Sequence, residues 1–186
     1  PEEGTEALFR AIPKRHSNLG AFTEREVPEE VQRRLVSAAA NQGAWLHICT
    51  PAERKVIIRM VAEADHIQAA NKHFRRELAS WIDVRRAMSG DGMPGLELTY
   101  EDVVSSMSPS PVRRFFVDSK VATEQQLEDN SPVLAIVGSK AGGVIERMHA
   151  GQAFMRVLLQ AEAEGVAVST LNQPCEVPEL RLVLHD

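Results

Sequence analysis

The segment Lys14-Arg15-His16-Ser17 gathers two cations, an imidazole and a hydroxyl within one turn of chain. A forked guanidinium beside a hydroxyl donor suits a phosphate or a polar ribityl-type chain. The same four residues also make an ordinary solvated loop with Ser17 in a turn, and composition leaves both readings open. Other groups offer less. Six histidines invite a metal site, but no pair has i, i+4 spacing around a carboxylate, and His66 and His73 lie two turns apart, so none is expected. His47 reads as a hydrogen-bonded, partly buried side chain, and Cys49 as core. Cys175 lies ahead of the last short helix, whose N-terminus could lower its pKa, yet no base stands near it in sequence. Gly138-Ser139-Lys140-Ala141-Gly142-Gly143 fits neither the Walker spacing nor the Gly-x-Gly-x-x-Gly fingerprint, and reads as turn glycines before a helix. Glu29-Glu30 and Glu162/Glu164 read as exposed faces or helix ends. No side chain is assigned as catalytic.

The elements that must position the basic loop follow from periodicity and punctuation. Leu8, Phe9 and Ile12 mark a helix over Gly4–Ile12 that Pro13 ends. Pro28 suits the first position of a second helix reaching about Ala40, stopped by Asn41-Gln42-Gly43. Ala44–Cys49 is a β-like run, and Thr50-Pro51-Ala52-Glu53 reads as a capping box. From there the apolar set Ile57, Met60/Val61, Ala64, Ile67, Phe74, Leu78 and Trp81 keeps helical period. A helix of that length either breaks near Ala70-Asn71 or forms the spine of a subunit interface. Pro132–Gly138 reads as a strand, Ser139–Glu164 as a helix and its start, closed by Gly165, and Val166–Leu171 as a further strand. Glu176–Leu184 is a short helix. Residues 105–131 are poor in apolar periodicity and could form a lid. The class is α+β or three-layer α/β/α, with much helix around a small sheet, and residues 1–186 read as one domain.

Composition narrows the partners. With 21 Lys+Arg against 26 Asp+Glu, the 186-residue chain carries a net charge of −5. Its Arg pairs are dispersed among acids, which argues against nucleic acid. The longest apolar run, Val133–Val137, is far short of the ~20 residues of a membrane span. Two distant cysteines point to a reducing, cytoplasmic setting rather than a disulfide scaffold. The sequence opens at Pro1 without an initiator Met, which raises the expectation that it is part of something longer.

In this setting Arg15-His16-Ser17 resembles the Arg-[Arg/His]-Ser cluster of the FMN-dependent nitroreductase family. Phe22 with Val27-Pro28-Glu29-Glu30 is similar to the family's next helix start. Asn41-x-x-x-Trp45 resembles the end of its Pro-Ser-x-x-Asn-x-Gln-Pro-Trp motif. Gly151-Gln152-Ala153-Phe154, Leu158-Leu159-Gln160-Ala161, Gly165 and Leu171-Asn172-Gln173-Pro174 resemble the helix and loop that carry backbone against the flavin. With Ala64-Asp65, Phe74, Glu77-Leu78 and Trp81, the pattern looks most like the second half of the Acg-like branch, in which two such folds are fused. The resemblance covers nearly the whole chain. It implies a nitroreductase-like three-layer fold with a small, mostly antiparallel sheet surrounded by helices, and a long interface helix.

It also implies FMN bound through Arg15, His16, Ser17, Asn41, Leu171, Asn172 and Gln173. NAD(P)H would be the reductant, a nitroaromatic or quinone-like molecule the acceptor, and a second nitroreductase-like protomer, separate or fused, the partner. The departures matter: Pro-Ser has become Ala38-Ala39-Ala40, Gln-Pro has become Gly43-Ala44, and Leu19 stands where the family often has a cation. In the family the two motifs come from different subunits, so this chain is expected to carry a good copy of one half-site and an eroded copy of the other. The alternatives are a flavin-sequestering protein without useful turnover and a pseudosubunit that binds no flavin.

Overall fold

The structure, a computed structural model, describes residues 4–18, 22–81 and 132–185. The expected lid over 105–131 lies outside the described residues. The described chain is helix-dominated α+β, with seven helices and one two-stranded antiparallel sheet among the described residues. It falls into two compact units, one containing residues up to Lys55 with 132–170, the other Val56 to Trp81 with 171–185.

The first unit starts with α1 (Thr5–Ala11), entered through Gly4 in the left-handed region at φ 96°. Helix α2 (Glu29–Ala40) takes Pro28 as its N-cap, one position earlier than the sequence suggests, and Glu29 and Glu30 place negative charge against its N-terminal dipole. Its end is set by Gly43 at φ 73°: the Gly43 N–H donates to the Ala40 carbonyl at 3.0 Å and the Ala44 N–H to that of Ala39 at 3.3 Å. This paired closure requires a left-handed residue, which glycine alone adopts without Cβ strain.

Strand β1 (Trp45–Ile48) then pairs with β2 (Ala135–Gly138), Leu46 opposite Val137 and Trp45 opposite Gly138. A Cβ on Gly138 would lie 2.2 Å from the Trp45 ring, so the indole occupies the space the glycine leaves. Gly138→Val should therefore displace that ring and destabilise the chain by about 1–3 kcal/mol. Denaturant titration with near-ultraviolet circular dichroism checks this, and an unchanged aromatic signal would refute the contact.

After α3 (Pro51–Ala70) and α4 (Lys72–Trp81), helix α5 covers Val144–Ala163 and is closed by Gly165, φ 70°, with the Val166 N–H on the Ala161 carbonyl at 2.9 Å. Ala38, Ala39, Ala44, Leu46, Ala153 and Val157 form the unit's buried cluster, with Leu35, Ile48 and Val137 packed on it. Alanines on α2 and α5 let the two backbones approach closely, and Leu46 fills the space beneath them. Arg34 on α2 grips Glu164 just past α5 through Nε–Oε1 at 2.7 Å and Nη2–Oε2 at 2.9 Å. Glu164 lies at a helix end, as the sequence suggests, and is held there by this pair. Its fork with Arg34 holds its carboxyl below the usual range, and Gln160 adds a further bond.

Val166–Leu171 does not form the expected strand. The run has β-type side chains, but a strand needs a ladder. Among the described residues its one backbone tie to a distant segment is the Asn18 N–H on the Val168 carbonyl, at 2.8 Å.

The long helical pattern starts at the capping box. The Thr50 N–H donates to Glu53 Oε2 at 2.7 Å, and the Glu53 N–H returns to Thr50 Oγ1 at 3.3 Å. Helix α3 (Pro51–Ala70) runs on into the second unit and stops at Asn71, whose Oδ1 accepts the His73 N–H at 2.9 Å and so caps α4 (Lys72–Trp81). The break falls where the sequence places it. In the second unit Ile58, Met60, Val61, Ala62 and Ala64 are buried on α3, as are Pro174 and Val177 around α6 (Gln173–Glu176), which leads into α7 (Pro178–His185). No helix among the described residues is long and apolar enough to cross a membrane.

Candidate functional site

In the first unit the basic loop is fixed at both ends. As α1 finishes, the Lys14 and Arg15 N–H groups both donate to the carbonyl of buried Ala11, at 3.0 and 2.9 Å. Four residues later the Asn18 N–H reaches Val168. Between these ties Lys14, His16 and Ser17 are exposed and Arg15 is half-buried. His16 Nδ1 lies 3.1 Å from the Lys14 carbonyl, which turns the ring back onto the loop. No carboxylate among the described residues pairs with the Arg15 guanidinium. A partly buried cation without a carboxylate partner among the described residues fits an anionic ligand, and these residues therefore suit a phosphate-bearing cofactor.

Asn41 sits at the C-terminal end of α2, its N–H on the Ser37 carbonyl at 3.0 Å and its side chain exposed. Two residues on, a Cβ at Gly43 would meet His149 Nδ1 at 3.3 Å, and φ is 73°. A glutamine there, as in the resembled motif, would be strained twice over. Gly43-Ala44 serves helix termination instead.

The other expected binding residues belong to the second unit. Leu171 is half-buried, Asn172 exposed and Gln173 only 9% exposed. The Asn172 carbonyl accepts the Cys175 and Glu176 N–H groups, at 2.9 and 3.3 Å, and that of Gln173 the Val177 N–H at 3.3 Å. Among the described residues no backbone carbonyl accepts the Asn172 or Gln173 N–H. The Gln173 side chain is a feature that sequence reasoning missed, because its Oε1 is buried without a hydrogen-bond partner.

Two other candidates behave differently from their sequence reading. Burial pushes the Cys175 thiol upward, and Glu176 adds to the shift, which disfavours a nucleophilic thiolate. His47 is hydrogen-bonded, as expected, but its side chain is 47% exposed rather than partly buried, because short β1 leaves that face uncovered. Its Nε2 lies 3.0 Å from Glu53 Oε2.

The His47 bond first, then the Thr50 N–H and hydroxyl, lower Glu53 to about 2. A carboxyl depressed in the folded state stabilises fully above the ordinary carboxylate range and loses that contribution as pH falls toward its folded value. The gap in thermal midpoint between the native chain and Glu53→Gln should therefore narrow as pH drops from about 4.5 to about 2. A gap constant over that window would show that the carboxylate is not held.

Two relatives in Mycobacterium tuberculosis, from strains CDC 1551 / Oshkosh and H37Rv, are provisionally named NAD(P)H nitroreductases MT3217 and Rv3131. Each is 28% identical over 183 residues, covering 97% of this chain and 51% of the relative. The chain is thus similar over nearly its whole length to proteins named as nitroreductases. No family model matches it. The chain spans about half the length of both relatives.

Proposed function

We propose that the chain is an FMN-binding part of an NAD(P)H-dependent oxidoreductase that reduces nitroaromatic or quinone-like acceptors. The observation that carries this reading is the half-buried Arg15 guanidinium, held in a loop tied at both ends and lacking a carboxylate partner among the described residues. Arg15 would bind phosphate or ring oxygens, with His16 beside it, and Ser17 would donate to the ribityl chain or phosphate. Leu171, Asn172 and Gln173 would present backbone to the ring, and Asn41 would contribute to the second, altered half-site. When bound, FMN supplies the hydride and electron transfer, and the protein's part is to hold and orient it. No side chain of the chain is required to move a proton.

The partner would be a second nitroreductase-like fold, fused or separate. Both relatives are about twice as long. The first unit also exposes Phe9 on α1 and Val144, Ile145 and Met148 on α5, each more than 60% open, an apolar surface that such a fold would cover.

Purification of the full-length protein tests the reading. A yellow, flavin-type spectrum bleached by NAD(P)H under anaerobic conditions is the expected result. A protein that neither carries nor takes up FMN would overturn it. A flavin that NAD(P)H does not bleach, with no acceptor reduced, would leave flavin sequestration in its place.

A further inference from the structure

We propose that the side-chain carbonyl of Gln173 accepts a hydrogen bond from a flavin ring N–H, a contact separate from the backbone role of its segment. The proposal rests on the flavin reading above. Gln173 is 9% exposed, and its Oε1 is buried with no hydrogen-bond partner. Folded chains leave few buried carbonyl oxygens unpaired, because each forfeits its bond to water without replacement.

The second unit does pair its other buried amide. Gln68 on α3 is 7% exposed, and its Nε2 donates to Glu176 Oε2 at 2.7 Å. That bond ties α6 to α3. The bonds from the Cys175, Glu176 and Val177 N–H groups then fix the backbone from 172 to 177, and the ring of fully buried Pro174 locks its own φ beside Gln173. Gln173 is therefore held in place by groups that ignore its side chain. Its amide oxygen is buried without a hydrogen-bond partner.

An isoalloxazine ring offers such a donor. Its N3–H is present in the oxidised ring, and N1–H and N5–H are added on reduction, whereas the remaining ring heteroatoms accept. An acceptor at Gln173 complements the Asn172 and Gln173 N–H donors and so fixes which edge of the ring faces the segment. The other orphaned atoms, Arg54 Nε and Ser169 Oγ, lie in the first unit and do not bear on this contact.

The test is FMN titration of the full-length apoprotein by quenching of flavin fluorescence, with Gln173→Met compared to wild type, and repeated under reducing anaerobic conditions by equilibrium dialysis. Methionine keeps the length of the side chain and removes the carbonyl. Kd should rise about tenfold, the loss of one net hydrogen bond, while the thermal midpoint of the apoprotein stays level or rises. An equal loss in both redox states assigns the bond to N3–H, and a loss confined to the reduced state assigns it to a proton gained on reduction. Gln173→Asn, which retracts the same amide, should weaken FMN as well if the methionine variant does not fold.

Gln68→Met supplies the comparison for stability: it should lower the apoprotein midpoint through loss of the Glu176 bond, the opposite sign to Gln173→Met. Wild-type FMN affinity in Gln173→Met, with a raised apoprotein midpoint, would overturn the inference and assign the orphaned oxygen to a water or to packing alone. Failure of wild type itself to bind FMN would remove the flavin reading and this inference together.

Discussion

Leu46→Ala is expected to destabilise the chain by about 3–5 kcal/mol, the upper part of the range for a buried leucine. The reason lies in its neighbours. Leu46 is 7% exposed, and four of the five other members of its buried cluster are alanines. An alanine methyl is fixed to the backbone and cannot swing into a vacated space, so the cavity would persist unless α2 and α5 themselves moved together. The Arg34–Glu164 fork opposes that motion by fixing the middle of α2 against the end of α5. The transfer cost and the cavity cost therefore add, rather than one being relieved by relaxation. Denaturant unfolding of the full-length protein reads the change. Leu46→Met, similar in volume, should cost less than about 1.5 kcal/mol, and equal losses for the two variants would show that Leu46 does not sit in a rigid pocket.

The features legible in the sequence are those whose partners lie within a few residues. The Thr50–Glu53 box, the closure at Gly165 and the break at Asn71 each depend on side chains or carbonyls no more than five positions away. The Arg34–Glu164 pair spans 130 positions, and nothing in Glu162-Ala163-Glu164 distinguishes it from an exposed acidic helix end. Val166–Leu171 fails as a strand for the same reason, since its side chains are β-like but its neighbour is a loop that donates one N–H.

The candidate site divides along this line. Arg15-His16-Ser17 is visible because its residue types crowd together after a Pro-terminated helix. That Arg15 alone of the three is half-buried depends on two backbone ties that sequence does not display. Gln173 was legible as a member of a family-like segment, but its orphaned oxygen is a property of burial and carries no signal in the letters. The glycine at 43 is the converse case. It looks like erosion of a binding motif, and the structure gives it a local duty, since φ 73° and His149 together exclude a larger residue.

Arg15→Ala should raise the Kd for FMN by about 10–100-fold in the full-length protein, because hydrogen bonds to a charged group contribute about 1.5–3 kcal/mol and each 1.4 kcal/mol is tenfold. The magnitude follows from environment. An exposed arginine would trade bonds with water and lose little, but this residue is half-buried in a loop whose backbone is tied to Ala11 and Val168, so less backbone order has to be gained when a ligand arrives. With no carboxylate among the described residues to release, an incoming phosphate or ring oxygen does not compete with an internal salt bridge.

Arg15→Lys separates charge from shape: it keeps the cation and loses the planar fork, so its Kd should lie between those of wild type and Arg15→Ala. Raising the salt concentration should weaken wild-type binding more than binding by the alanine variant, since only the former retains the screened attraction at this position. Fluorescence titration at two ionic strengths measures both effects. Equal salt sensitivity in the two proteins, with unchanged affinity in Arg15→Ala, would move the anionic end of the cofactor away from this loop and leave Arg15 as a solvated cation.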